Sequence, residues 1–344
     1  MLSELIAPAR RLALVGLAKN TGKTETLAAI LQELATQHTS VGVTSIGRDG
    51  EEHDVIDARI SKPRIVLQTG SLLASTDALV RACGLTYERL VQTGVRTPLG
   101  EVVIARIAER GTVEVAGPST GEDLRRVSDA MLELGAEIVL IDGSIDRRAA
   151  SSPAVADGLV IATGAVLSEL IEEVVAATKD AVDLVRLPIA GDASETASEQ
   201  PSAAGDEEVT VERQLALGAE PAQIAALLGE HPQASTLRVD GALGERFLEG
   251  LLDARTARAG RELRIVVGDS TKVFLSRRGP DWYRRQGLAI EVLRAIDLKA
   301  ITVNPVAPQA HRFDSRRLRE LIEAAVADVP VLDVLDPSYL ALAK

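Results

Sequence analysis

The sequence has little cysteine and few aromatic residues. Cys83 is the single cysteine, so an internal disulfide is excluded, and we interpret this residue as an ordinary buried side chain. Aromatic residues make up only 2% of the 344 positions, which leaves few rings to stack on bases. The formal net charge of −12 repels phosphate backbones and anionic lipid surfaces. We therefore expect no nucleic-acid partner.

Long apolar runs and export signals are also missing. No stretch approaches the roughly 18 uncharged residues of a membrane span. Met1 to Arg10 show neither the basic start nor the small-residue cleavage site of a secretory signal. The four histidines are scattered, without metal-ligand spacing. We expect a cytoplasmic protein with no membrane association and no transition metal.

What is present is an alternation of strand and helix patterns. A continuous apolar run from Leu12 to Leu17 predicts a strand buried on both faces, and a helical stripe from Leu27 to Leu34 follows it. Further buried strands are predicted at 41–46, 65–67, 137–141 and 159–162. Two β-rich runs at 102–107 and 113–116 predict an antiparallel hairpin. The alternation predicts an α/β fold with a doubly wound parallel sheet.

The run Gly16-Leu-Ala-Lys-Asn-Thr-Gly-Lys-Thr24 lies between the first strand and the first helix. It resembles a phosphate-binding P-loop, in which backbone N–H groups and a helix N-terminus surround a phosphate. Lys23 would reach the β and γ phosphates, and the Thr24 hydroxyl would bind Mg²⁺. Gly16 stands one residue earlier than the usual pattern, with Leu17 in its place. The predicted nucleotide-binding residues are Asn20, Thr21, Gly22, Lys23 and Thr24.

Two carboxylates at strand ends are candidate magnesium ligands. Asp142 follows a buried strand, and we predict that it binds Mg²⁺ and takes part in catalysis with Lys23; the alternative is an aspartate that caps the turn. Asp49 follows another strand, where a switch segment would sense the γ-phosphate, and simple turn chemistry explains it equally well. No Asn-Lys-x-Asp run that would read guanine is present. ATP and Mg²⁺ are therefore the predicted cofactors.

An acidic, Ala- and Ser-rich segment from Ala190 to Glu208 divides the sequence. We predict a P-loop NTPase domain over 1–189, a linker or loop over 190–208, and a second, smaller α/β domain over 209–344. The second domain has predicted strands near 236–239, 264–267 and 300–303. Polar turns also follow strands in both halves: Thr69-Gly-Ser71, Thr163-Gly164, Gly268-Asp-Ser-Thr-Lys272 and Asn304-Pro305. We favour structural roles for them; the alternative is that the first two turns line the cleft and that Asp269 and Lys272 contact a ligand.

Together the motifs resemble one family. The residues that carry the resemblance are Gly16 to Thr24, Thr44 to Gly50, Thr97 to Gly100, Ala116 to Pro118, Ile141 to Gly143, Ala162 to Gly164, Thr271 to Phe274 and Thr302 to Pro305. They are similar to the B subunit of the lysine 5,6-aminomutase reactivase, over nearly the whole chain. The loop Lys19 to Thr24 alone also resembles the nucleotide-binding protein of molybdopterin dinucleotide synthesis.

The resemblance to the reactivase implies an ATPase component of a chaperone-like machine. Its partners would be a mismatch-repair-like ATPase subunit and an adenosylcobalamin- and pyridoxal-phosphate-dependent aminomutase. ATP-coupled opening of the mutase would let damaged cobalamin exchange for intact cofactor.

Two other functions stay open. A small-molecule ligase or kinase similar to dethiobiotin synthetase would need a second cluster of basic and hydroxyl groups, for which Asp269, Thr271 and Lys272 are the candidates. A nucleotide-sensing adaptor would bind nucleotide but hydrolyse it slowly.

Overall fold

The computed structural model describes residues 1–47, 65–144, 148–191, 207–255, 262–308, 311–337 and 339. Asp49 and residues 192–206 of the predicted acidic linker lie outside these ranges. Glu207 and Glu208, which the prediction included in the linker, begin a strand. In the described ranges, no helix has both the length and the apolar character needed to cross a membrane.

The strands, in chain order, are β1 Arg11–Gly16, β2 Val41–Ser45, β3 Ile65–Leu67, β4 Leu72–Thr76, β5 Tyr87–Thr97, β6 Gly100–Ile107, β7 Gly111–Val113, β8 Ile138–Ser144, β9 Gly158–Gly164, β10 Glu207–Val211, β11 Ala234–Val239, β12 Leu243–Gly244, β13 Leu263–Val267, β14 Val273–Phe274, β15 Leu288–Val292, β16 Asp297–Asn304 and β17 Val331–Leu332. The helices are α1 Leu2–Ile6, α2 Lys23–Thr36, α3 Asp77–Ala82, α4 Gly121–Glu133, α5 Ile171–Val185, α6 Arg213–Gly218, α7 Pro221–Glu230, α8 Glu245–Arg255, α9 Pro280–Arg285 and α10 Ser315–Val326.

A nine-stranded sheet in the order β17-β16-β9-β1-β8-β2-β4-β6-β5 dominates the described part of the chain. Neighbours from β17 to β4 are parallel, and β6 and β5 continue the sheet antiparallel to β4 and to each other. All residues of β1 and β9 are buried, as their apolar runs predict for central strands. The α/β class and the parallel-dominated sheet are confirmed.

The predicted hairpin between 102–107 and 113–116 is wrong. β6 pairs with β5 and β4, whereas β7 pairs with β3 in a separate two-stranded ribbon. β5 and β6 form the actual hairpin, which turns at Pro98 and Leu99 between the paired residues Thr97 and Gly100. Gly100 has a φ of +117°. Most β5 side chains are half-buried or exposed, so no apolar run marks this strand in the sequence.

The chain divides into two compact units at positions that differ from the predicted domains. Unit 1 comprises residues 1–178 and 296–344, and unit 2 comprises residues 179–295, so the boundary falls within α5. The strand predicted at 300–303 in the second domain is β16, which lies beside β9 in the large sheet. Its residues Ala300 to Val303 are buried, as a strand covered on both faces requires. Unit 2 is thus an insertion between α5 and β16.

Unit 2 has its own parallel sheet in the order β10-β11-β13-β15. Helices α6 to α9 connect successive strands of this sheet. Its core includes the fully buried rings of Phe247 and Tyr283, packed among leucine, isoleucine and valine side chains from the strands and from α8.

At the amino end of β1 in unit 1, Arg11 binds two carboxylates. Its backbone N–H donates to Asp157 Oδ2 (3.0 Å), and its guanidinium donates to Asp157 and to Asp129. Arg125 donates to Asp129 from one turn earlier on α4. Burial raises the pKa of Asp129, but the hydrogen bonds from Arg11 and Arg125 outweigh it and hold the pKa below its usual range. This cluster fastens α4 to the start of β1.

Candidate functional site

The candidate site lies at the carboxyl edge of the large sheet, where the loop 17–22 joins β1 to α2. β1 leads through α2 to β2 on one side of the sheet, whereas its neighbour β9 leads on to β16 on the other side. This is a topological switch point, the place where open parallel sheets bind ligands. The loop residues that the sequence singled out therefore lie at the edge where α/β proteins build their sites.

Two glycines, Gly16 just before the loop 17–22 and Gly22 at its end, occupy positions where a side chain would fit poorly. A Cβ on Gly16 would lie 2.6 Å from Thr21 Oγ1, the hydroxyl that donates to the Ala18 carbonyl (3.0 Å). Gly22 has a φ of +87°, and Asn20 also has a positive φ, of +65°. The chain bends tightly here and enters α2 directly after Gly22.

Gly22 is also the N-cap of α2, and it contributes no side-chain hydrogen bond to the first turn. The helix has 14 residues, so its N-terminus carries the full partial positive charge of an α-helix. Lys23 and Thr24 are its first two residues, and both are half-buried. A glycine cap thus brings no side-chain oxygen to this helix end, where an external anion is able to take that role.

Lys23 and Asp142 are brought together by the pairing of β1 with β8. Lys23 Nζ lies 2.9 Å from Asp142 Oδ1 and donates to the Gly143 carbonyl oxygen (2.7 Å). Asp142 is level with Leu14 of β1 and with Ser45 of β2. The side chains of Lys23 and Asp142 are 15% and 19% exposed. Solvent therefore screens the ion pair only in part, and the pair stays open to one side.

Asn304, at the carboxyl end of β16, contacts the loop 17–22. Its Nδ2 donates to the Asn20 carbonyl oxygen (3.0 Å), and a Cβ on Gly22 would lie 3.0 Å from Asn304 Cβ. Two residues earlier, the buried hydroxyls of Thr302 and Thr26 are 2.7 Å apart. Sequence reasoning placed Asn304 in a structural turn of the second domain. Its signals in the sequence were a polar residue at the end of a buried strand and its place in the motif Thr302 to Pro305.

A second connection missed by sequence reasoning lies at the carboxyl end of β2. The Ile46 N–H donates to the Asp142 carbonyl oxygen (3.1 Å), and the Gly117 N–H donates to Ser45 Oγ (3.0 Å). A Cβ on Gly117 would lie 1.9 Å from the Ser45 carbonyl oxygen. The segment that leads to Asp49 is thus fixed beside Asp142 up to Gly47, where the described range ends.

Other polar turns have structural roles. Asp269 is 2% exposed, and its Oδ1 accepts the N–H (2.9 Å) and the hydroxyl of Thr271 in unit 2. In unit 1, the buried hydroxyls of Thr163 and Thr178 are 2.8 Å apart. Gly70 adopts a φ of +90° in a turn closed by the bond from Ser71 N–H to the Gln68 carbonyl (3.2 Å). These hydrogen bonds agree with the structural roles that the sequence predicted for the polar residues after these strands.

Comparisons with protein-family models, curated proteins and solved structures find no match.

The groups that would hold magnesium here are few. Asp142 offers carboxylate oxygens and Thr24 a hydroxyl, both hard oxygen donors of the kind that Mg²⁺ prefers. Among the described residues, no group of three or more His, Cys, Asp or Glu side chains is placed to hold a metal ion. Because Mg²⁺ usually takes only one or two protein ligands and completes its shell with phosphate oxygens and water, a single carboxylate fits this ion.

Proposed function

We propose that this protein binds Mg-ATP through a P-loop formed by residues 16–24. The observation that carries the proposal is the Lys23–Asp142 ion pair, held at the N-terminus of α2 beside a loop shaped by Gly16 and Gly22. A cation, a carboxylate and a helix N-terminus are the three charges that a Mg-nucleotide site needs. In this proposal, Asn20, Thr21 and Gly22 supply backbone N–H groups to the phosphates.

Nucleotide binding would redistribute the partners of Lys23. Its ammonium group, which now bonds Asp142 and the Gly143 carbonyl, would turn to the β and γ phosphates. Asp142 would then be released to bind Mg²⁺ with the Thr24 hydroxyl, and the ion would neutralise charge on the phosphates. Lys23 and Asp142 are thus the proposed catalytic pair. Asp49, outside the described residues, remains a candidate for the γ-phosphate side.

We further propose that ATP turnover serves a reactivase for an adenosylcobalamin-dependent aminomutase. This part rests on the motif resemblance across both halves of the chain. Its partners would be a mismatch-repair-like ATPase subunit and the mutase itself. ATP must favour one conformation over another for such work, because a ligand shifts an equilibrium only through differential affinity.

No observation favours the ligase alternative. Asp269 and Thr271, candidates for its second cluster, bond each other in a turn of unit 2.

Titration calorimetry with Mg-ATP and Mg-GTP tests the nucleotide site. The wild-type protein is expected to bind Mg-ATP. Lys23→Ala should weaken binding at least ~100-fold, because two charge-assisted contacts of about 1.5–3 kcal/mol each are lost. Arg316→Ala, which removes the same charge from an exposed position of α10, should leave the affinity unchanged. Equal affinities of wild type and Lys23→Ala would refute the P-loop.

Reconstitution tests the role in reactivation. The protein is mixed with its ATPase partner, inactivated aminomutase, Mg-ATP and fresh adenosylcobalamin. Mutase activity should return with wild type and not with Lys23→Ala. Recovery that is equal without ATP would leave a passive delivery role instead.

A further inference from the structure

Asn304 is the residue that joins the strand following unit 2 to the loop of the proposed nucleotide site. We propose that Asn304 is a positioning residue that sets the loop 17–22 in its phosphate-binding conformation, without contacting the base. The proposal rests on the proposed function, since it concerns the same site. It assigns a role in phosphate affinity to a residue 284 positions away in sequence from its loop partner Asn20.

The orientation of the Asn304 amide follows from its two partners. The N–H of Val306 donates to Asn304 Oδ1 (3.1 Å), and a donor there requires the oxygen of the amide. Nδ2 therefore faces the Asn20 carbonyl oxygen, 3.0 Å away. Each end of the amide thus has a protein partner, and these two bonds fix its orientation toward the loop 17–22.

The bond to the Asn20 carbonyl determines the direction of the next N–H group. In a planar trans peptide, the N–H points opposite to the C=O. Because Asn304 holds the Asn20 carbonyl toward β16, the N–H of Thr21 must point away from β16. The φ of Asn20 is +65°, in the left-handed region that asparagine adopts more readily than most side-chain-bearing residues, and the bond from Asn304 fixes the orientation of the peptide that follows.

Asn304 is itself held rigidly. A Cβ on Gly164, at the end of β9, would lie 2.3 Å from the Asn304 carbonyl oxygen, so β9 and β16 approach closely here. On its other side, Asn304 Cβ packs against Gly22. A side chain fixed between two glycines, on a strand in the interior of the sheet, is able to hold a loop peptide with little freedom.

The experiment uses inorganic tripolyphosphate, which has phosphates but no base, beside Mg-ATP. Asn304→Asp replaces the donor by a carboxylate oxygen that repels the Asn20 carbonyl. We expect this variant to bind tripolyphosphate and Mg-ATP at least tenfold more weakly, because an oriented hydrogen bond is lost and a negative charge is added near the proposed phosphate site. Asn304→Ser removes the Nδ2 donor without adding a charge, and it should bind both ligands roughly tenfold more weakly, by the same factor, as loss of one oriented hydrogen bond predicts.

Thr302→Val is the matched control. It removes the hydroxyl that contacts Thr26 but leaves the Asn304 amide in place. Its melting temperature should fall, while its tripolyphosphate affinity stays within about twofold of wild type, the spread expected where no phosphate contact is lost. A structural role of Asn304 alone would instead make the Asn304 and Thr302 variants behave alike.

Three results overturn the proposal. An Asn304 variant that loses ATP affinity but keeps tripolyphosphate affinity would indicate that Asn304 contacts the base of the nucleotide. Unchanged affinity for both ligands in a folded Asn304→Asp protein would leave the loop independent of Asn304, with the nucleotide site intact. If the wild type binds neither ligand, the proposed function fails, and this inference fails with it.

Discussion

Lys23 Nζ and Asp142 Oδ1 lie 2.9 Å apart, across the junction of α2 and β8. Each charge is shielded from water over most of its side chain, so removing one leaves the other partly buried without its main counter-charge.

The first prediction concerns stability without nucleotide. Lys23→Ala should lower the free energy of unfolding by about 1–3 kcal/mol, since a partly buried carboxylate loses its cation. The double variant Lys23→Ala/Asp142→Ala should be less destabilised than the sum of the single variants. Denaturant unfolding of all four proteins measures this coupling. Strictly additive effects would mean that the two side chains do not interact.

The second prediction concerns magnesium. Asp142→Asn keeps the size of the side chain but removes the charge that would bind Mg²⁺. Magnesium should strengthen ATP binding by the wild type and have little effect on the variant, when affinities in MgCl₂ and in EDTA are compared. Asp297→Asn, at the opposite, amino end of β16, is the control for charge. An identical magnesium response in all three proteins would contradict a role of Asp142 in binding Mg²⁺.

The third prediction concerns the contact between Gly117 and Ser45. Gly117→Ala would place a Cβ 1.9 Å from a backbone oxygen that cannot move alone. The free energy of unfolding should fall by roughly 2–3 kcal/mol, the upper range for overpacking. Gly229→Ala, within α7 and with nothing within 4 Å of the added Cβ, should instead stabilise by about 0.5–1 kcal/mol. Thermal unfolding followed by circular dichroism distinguishes the two, and a neutral Gly117→Ala would contradict the close approach.

The fourth prediction concerns acid. The pKa of Asp129 is lower in the folded state, so its stabilising effect is present above the ordinary aspartate pKa of about 3.9 and is lost as pH falls through the folded value. Because its side chain is 39% exposed, the contribution is small, about 0.5 kcal/mol. Asp129→Asn should be less stable than wild type at pH 6 and should approach it near pH 2. A constant difference across this range would rule out titration of Asp129 as the cause.

Local sequence patterns predict the strands that are buried on both faces. Apolar runs mark β1, β8 and β9, and polar loop residues follow β1 at the carboxyl edge of the sheet. A strand such as β5 is missed because its edge position leaves every side chain except that of Val95 half-buried or exposed, and a polar, alternating segment resembles a loop. The pairing of strands is harder to predict than their positions, because β6 and β7 are adjacent in sequence but belong to different sheets.

The candidate site, too, is predictable from the sequence only where its residues are close together along the chain. The spacing of Gly22, Lys23 and Thr24 is local, so the sequence alone points to this loop. The contact of Asn304 with Asn20 is not local, because unit 2 separates the two residues along the chain. Because β16 was predicted to belong to a second domain, Asn304 was interpreted as a structural turn and was not connected with the loop 17–22. Only the register of β16 against β9 brings it to the loop.

The insertion of unit 2 also orders events during synthesis of the chain. Unit 2 is complete when residue 295 leaves the ribosome, whereas the large sheet must wait for β16 and β17. The inserted unit is thus able to fold before the sheet that surrounds it in sequence is finished. A ribosome that stops before residue 304 releases a chain with the glycine loop but without the amide that holds it. On the proposed function, such a chain would bind nucleotide more weakly than the finished protein.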